Sequence, residues 1–337
     1  MKLKLLTDQH FPYGTNFFSD DRFDTSQCPD YKHFPSAVSG ILHVLHLYKA
    51  SFRADIVLGN RRTVLMLGLL FLLYKPKRVS LVGYEMIFNF RKSVRHRLSL
   101  RLWRSVISQV DLMITQTQGE IDDLAVKMQT SADKFTSIPF YTENRDYIGP
   151  SPNGYIFAAG RMERDFVTLL KSLKDSPIPL VIVAPASQKD VLEKYRTPST
   201  RMYYDIAKSE YLDLLEKSRL VVISLRKGIA SRGQVVLLEA MSMGKTAICS
   251  RVSGIKEYVR EGETAVMVAP ESPENLREQI DNYFTHEDKL REIGKTAYEH
   301  QRRVYTPAVF CANYQKALLV VKNKGALAEA DTAAVAR

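Results

Sequence analysis

Cysteine is scarce in this chain of 337 residues. Cys28, Cys249 and Cys311 lie far apart and are odd in number. That excludes a disulfide scaffold and offers no spacing suited to structural zinc, and it fits a reducing compartment. Long apolar runs are missing as well. The longest, Val64 to Tyr74, falls short of the roughly 20 residues that cross a bilayer and reads as a buried helix. Met1-Lys-Leu-Lys-Leu-Leu has too few apolar residues before Asp8 to form a secretory core. The expectation is therefore a cytoplasmic protein, soluble or peripheral on the inner face of the cell membrane. With 16 Gly, 14 Pro, 45% hydrophobic and 25% charged residues, the composition excludes a collagen-like repeat, a coiled-coil rod and wholesale disorder. No internal repeat is visible, and the length suits about two domains.

Acidic residues nearly vanish between Lys49 and Arg104. Thirteen Lys and Arg stand there against only Asp55 and Glu85, a local excess equal to the net charge of the whole chain, +11. Such a stretch attracts a polyanion, either nucleic acid or an anionic membrane, unless it is simply a solvated face. The chain has no RNP-type aromatic run, Cys/His finger or helix-turn-helix, so a membrane is expected and nucleic acid is not.

Short apolar segments alternate with helical ones. Strands are expected at Lys2–Thr7, Asp55–Leu58, Arg78–Val82 and Asp111–Thr115, with helices over Ser36–Tyr48, Leu65–Leu73, Arg91–Ser108 and Glu120–Met128. Residues Glu143–Gly154, rich in Pro, Gly, Asn and Ser, read as a hinge. Beyond it come strands at Tyr155–Ala159, Leu180–Ala184, Leu220–Ser224 and Thr246–Ser250, with helices from Phe166, over Lys208–Glu216 and over Gln234–Met243. This alternation predicts an α/β protein of two Rossmann-like domains with parallel sheets facing across a cleft. The first domain is expected over 1–148 and the second over 149–305. A C-terminal helix over 306–322 is expected to return to the first domain, followed by a disordered tail over 323–337.

Three motifs invite chemistry. Gly244-Lys245-Thr246 resembles the end of a phosphate loop, but the glycine required five residues earlier is Glu239, inside a helical run. Asp8 and His10 offer only two metal-ligand types, with no third at ligand spacing. The segment Gly233 to Gly244 carries more. A glycine follows strand LVVIS and opens an apolar helix, and an acid lies two turns in. A helix start of this kind favours a phosphate, and a buried Glu239 needs donors that ribose hydroxyls would supply. An amphipathic helix with one capped acid remains the plainer alternative.

The stretch Leu-Leu-Glu239-Ala-Met-Ser-Met-Gly244, followed by Ser253-Gly254-Ile-Lys-Glu257-Tyr-Val and Glu261-Gly-Glu-Thr-Ala-Val-Met-Val268, resembles the donor-site signature of GT-B glycosyltransferases of family 4, the group 1 enzymes. Upstream, Gly160-Arg161-Met-Glu-Arg164-Asp165-Phe-Val-Thr-Leu-Leu170 is similar to the donor phosphate loop of that family. There are departures. The first glutamate of the family's E-x7-E falls at Ser231, Arg164 replaces a lysine, and the acceptor-domain histidine is replaced by Gly83-Tyr84-Glu85. The Gly-Gly loop after the first strand is reduced to Tyr13-Gly14-Thr15.

The resemblance implies sugar transfer from a nucleoside diphosphate sugar, UDP- or GDP-linked, to an acceptor hydroxyl, with retention and without a metal or other cofactor. Arg161, Arg164, Ser231, Gly233, Gln234 and Val235 would hold the diphosphate, Glu239 the ribose, and the region of Ile206 the base. Tyr13, Gly14 and Thr15 would form the acceptor-domain loop. Glu85, the only acid between Asp55 and Asp111, is the candidate base; if it acts as one, inversion becomes possible. The basic stretch would dock the protein on an anionic membrane bearing a lipid-linked or saccharide acceptor. A catalytically silent binding protein of the same fold is one alternative, and a basic nucleic-acid-binding protein is the other.

Overall fold

The computed structural model describes residues 2–8, 12, 15–18, 22–29, 36–86, 88, 94–162, 164–228 and 232–335. The chain divides into two compact units, Met1–Ile138 with Cys311–Arg337, and Pro139–Phe310.

The first unit runs β1 (Leu3–Thr7), β2 (Phe23–Gln27), α1 (Ser36–Ser51), β3 (Ile56–Gly59), α2 (Arg61–Leu73), β4 (Ser80–Gly83), α3 (Val94–Val106), β5 (Leu112–Thr115), α4 (Gly119–Met128) and β6 (Phe135–Ser137). Its strands form one parallel sheet in the order β2-β1-β3-β4-β5-β6. Every residue of β3, β4 and β5 is buried, which is why these strands read as unbroken apolar runs: both faces of the sheet are covered. Asn60 caps α2, its side-chain oxygen accepting from the backbone of Arg62 and Thr63.

The second unit contains β7 (Tyr155–Ala159), α5 (Phe166–Ser172), β8 (Leu180–Ala184), α6 (Lys189–Leu192), β9 (Thr200–Tyr204), α7 (Lys208–Glu216), β10 (Ser218–Ile223), α8 (Gln234–Ser242), β11 (Ala247–Ser250), α9 (Ser253–Lys256), β12 (Val266–Val268), α10 (Pro273–Phe284) and α11 (Glu287–Val304). The sheet order is β12-β11-β10-β7-β8-β9, again all parallel. Helix α12 (Pro307–Val335) follows, and from Cys311 onward it belongs to the first unit. There its Tyr314 ring meets Phe17 edge-on, and Lys322 pairs with Asp55.

Two expectations change. The unit boundary lies at Ile138/Pro139, ahead of the Pro/Gly-rich hinge, because that segment is tied to the second unit: Ile148 and Gly149 N–H both donate to Met243 O, and Ser151 N–H donates to Ser218 O. The tail expected to be disordered from 323 is helical to Val335. Its sequence is rich in alanine, the residue of highest intrinsic helix propensity. No helix among the described residues is long and apolar enough to cross a membrane.

Candidate functional site

In the second sheet β7 and β10 are neighbours, and the connections leaving them run in opposite directions, to β8 and to β11. Loops that diverge in this way open a crevice at the carboxyl ends of the strands, the usual ligand position in such sheets. Both glycine-bearing motifs fall there, Gly160–Arg164 after β7 and Gly233 after β10.

Arg164 turns back over its own loop. Its Nε donates to Ala159 O at 2.8 Å and its Nη1 to Met162 O at 3.4 Å. Gly160 permits this, because at φ +138° it presents a bare Cα where a Cβ would strike the guanidinium. Arg164 is buried, and that burial, with the charge of Arg232 nearby, holds its pKa down at about 10, so it stays cationic at neutral pH. Carbonyl acceptors use two of its five N–H donors. Arg161 is placed differently: its side chain is 76% exposed and lies 3.4 Å from Asp205 at the end of β9. The structure therefore does not bring the two arginines into one setting. Arg232 is the cation whose charge reaches Arg164, and the motif match had passed over it.

Helix α8 starts at an uncapped end. Gly233 sits at φ +90°, where a Cβ would lie 3.0 Å from both Ile223 and Ile255. The first helical bond runs from Leu237 N–H to Gly233 O, so the N–H groups of Gln234, Val235 and Val236 precede the ladder. The buried Gln234 side chain donates to Gly254 O at 2.7 Å and ties α8 to α9, so Gln234 offers a ligand only its backbone. The Val235 side chain is exposed. Ser231 lies outside the described residues.

Glu239 is buried and already engaged. Its Oε2 accepts from the Tyr211 hydroxyl at 2.5 Å, and its Oε1 pairs with Lys208 Nζ. Lys208 Nζ also lies 4.5 Å from the centre of the Tyr211 ring, which meets Phe157 edge-on. Burial, and then the adjacent Glu239 carboxylate, push the Tyr211 phenol well above its usual range. Lys208 and Tyr211 share a face of α7 by their spacing of three, but nothing local in the sequence links them to a glutamate on another helix. Ile206 is half-buried and follows Asp205, whose Oδ2 accepts from Ala186 N–H at 2.9 Å.

Lys245 is no phosphate ligand. It is buried, donates to Glu216 O at 2.5 Å and Ser218 O at 2.9 Å, and is brought down by burial to about 8.

In the first unit, Glu85 is half-buried at the end of β4, with a left-handed backbone at φ +47°. Beside it Tyr84 donates to Asp8 Oδ1 at 2.8 Å, and Asp8 Oδ2 accepts from Asn60 N–H at 2.8 Å. The three residues join the carboxyl ends of β1, β3 and β4, where the first sheet changes direction. The sequence presented Asp8 only as a possible metal ligand. Tyr13, Gly14 and His10 lie outside the described residues. Thr15 opens a short 3-10 helix to Phe18, and its side chain is likewise outside them. Among the described residues, no three His, Cys, Asp or Glu gather as a metal site.

Residues 153–300 match the family model described as Glycosyl transferases group 1. The second unit is a glycosyl transferases group 1 domain. Solved structures extend the likeness over most of the chain. Anabaena HepE in complex with UDP-glucose is 15% identical, with a TM-score of 0.71 over 94% of this chain and 100% of that one. The lipopolysaccharide outer core galactosyltransferase WaaB in its apo form is 14% identical, with a TM-score of 0.67 over 95% and 99%. Sucrose-phosphate synthase from Thermosynechococcus elongatus is 14% identical, with a TM-score of 0.69 over 94% and 88%. At these identities the likeness establishes the fold: the chain has the GT-B architecture. No curated protein sequence matches the chain.

Proposed function

We propose that the protein transfers a hexose from a nucleoside diphosphate sugar to an acceptor hydroxyl, with retention and without a metal. The observation that carries this reading is the crevice of the second sheet. It brings together a buried cation with unused donors, an uncapped helix start and a buried carboxylate. When the sugar leaves, negative charge develops on the diphosphate. Arg164 and the N–H groups of Gln234, Val235 and Val236 are fixed donors suited to that charge, and they need no reorganisation as it forms. Glu239 would accept from the ribose, and the region of Ile206 would take the base. Arg161 has a smaller share, from the rim.

Glu85 is the proposed acceptor base, supported by its place at a strand end beside the Asp8–Tyr84 bond. The acceptor is proposed to be lipid-linked, in polysaccharide or glycolipid synthesis, with the basic stretch Lys49–Arg104 holding the protein on an anionic membrane. Each basic residue near such a surface contributes about 1 kcal/mol.

The test is a thermal-shift panel of UDP-, GDP-, ADP- and dTDP-sugars, followed by product analysis in the presence of a chelator. A ligand at 100 times its Kd stabilises by about 2.7 kcal/mol. No shift with any nucleotide sugar would end the proposal. A shift without transfer or hydrolysis would leave a silent binding protein.

A further inference from the structure

The outward faces of α1 and α2 are apolar. On α1, His43, Val44, Leu47 and Ser51 face the core, so Ile41 and Leu45, with Phe52 just past the helix end, are exposed. On α2, Val64, Leu67 and Phe71 face inward, leaving Leu69, Leu73 and the C-cap residue Tyr74 outside, with Leu73 84% exposed. Phe52 stacks on Tyr74 with ring centres 5.7 Å apart and planes 7° from parallel, so the two rows join into one patch. A helix on the surface of a soluble domain ordinarily turns its polar side outward. Here both helices are apolar outward as well as inward, and a continuous apolar patch of this kind marks an interaction surface.

Its surroundings specify the partner. Lys49, Arg53, Arg62 and Lys77 are exposed at its margins, and the exposed side of α3 adds Arg97 and Arg101 beside Leu98 and Leu102. Of the two acids in the stretch, Asp55 is withdrawn into a pair with Lys322. A second copy of this face would oppose like charges, whereas an anionic bilayer offers phosphates to the rim and acyl chains to the centre. Phe88 and Trp103 take no part, because both are buried and meet edge-on in the core.

We infer that the α1–α2 face inserts into the interface of an anionic membrane, with Ile41, Leu45, Phe52, Leu69 and Leu73 entering the acyl region. This deepens the membrane part of the reading above and is independent of sugar transfer. The one native tryptophan, Trp103, is 1% exposed, so a Leu73→Trp variant carries a single surface reporter. On vesicles of phosphatidylglycerol and phosphatidylcholine in equal amounts, bromine in the acyl chains should quench that reporter. Ile41→Ser/Leu45→Ser/Leu73→Ser should lower vesicle binding by about tenfold or more at physiological salt. The triple variant should keep the nucleotide-induced thermal shift of the unaltered protein, which separates lost insertion from lost fold or a failed functional reading. Vesicle binding without quenching would overturn insertion in favour of surface charge alone. Concentration-dependent self-association that the triple variant abolishes, without vesicle binding, would make the face a protein interface and equally overturn the inference.

Discussion

Tyr211→Phe removes one oxygen from the donor crevice and leaves the ring in place against Phe157. The lost bond, 2.5 Å from the phenol to a buried carboxylate, is charge-assisted, a class worth roughly 1.5–3 kcal/mol. The remaining partner of Glu239 is Lys208, whose side chain is 60% exposed, and ion pairs so open to solvent contribute little. The variant should therefore lose about 2 kcal/mol, read as a melting temperature lower by roughly 4–8 °C for a unit of this size. If Tyr211 also fixes the carboxylate for the ribose, affinity for the nucleoside diphosphate should fall about tenfold, or ~1.4 kcal/mol. Calorimetric titration with the nucleotide and with its 2′,3′-dideoxy analogue isolates that effect, because the analogue has no hydroxyls for Glu239 to accept from. Equal losses for both nucleotides, or unchanged affinity beside a clear loss in Glu239→Gln, would reduce Tyr211 to a packing residue.

Arg164→Ala should lower kcat/KM by roughly a hundredfold or more, as removal of a fixed charge-stabilising donor does, while Arg161→Ala costs less than about tenfold. The reverse ranking in steady-state kinetics would contradict the burial argument. Gly233→Ala should destabilise by roughly 1–3 kcal/mol in denaturant titration and weaken nucleotide binding, since a side chain at φ +90° is strained and meets Ile223 and Ile255. Full affinity in that variant would mean that the helix start does not approach the phosphate. Lys245 has a folded-state pKa of about 8 against an ordinary 10.5, so between those values the unfolded chain binds the extra proton and stability gains as pH rises. Relative to Lys245→Met, the unaltered protein should gain stability from pH 8 towards pH 10; a parallel pH profile for the two would refute the buried, weakened cation.

Membership of the α/β class and the central strands were legible without coordinates. The strands read from the sequence, β1, β3, β4, β5, β7, β8, β10 and β11, are the inner ones of the two sheets, and the four passed over, β2, β6, β9 and β12, are the edges. The reason is burial. An inner strand is covered on both faces and is apolar along most of its length, as in the LVIVA of β8, whereas an edge strand such as the FDTSQ of β2 is half solvated and keeps polar residues. The glycine positions and Glu239 were legible for a similar reason, because local backbone demands and a lone acid among apolar neighbours leave marks in the chain.

Only the tertiary structure decided what those residues touch. It bound Glu239 to Tyr211 and Lys208 from another helix, separated the buried Arg164 from the exposed Arg161, and turned the Gln234 side chain towards α9. It also decided which apolar side chains are exposed. The sequence shows a basic stretch with aromatics among the charges, and folding buries Phe88 and Trp103 while exposing Ile41, Leu45 and Leu73. Periodicity along one helix marks a core side only when the opposite side is polar. On α1 and α2 both sides are apolar, so which of them meets the sheet was settled by packing, through contacts between residues remote in sequence.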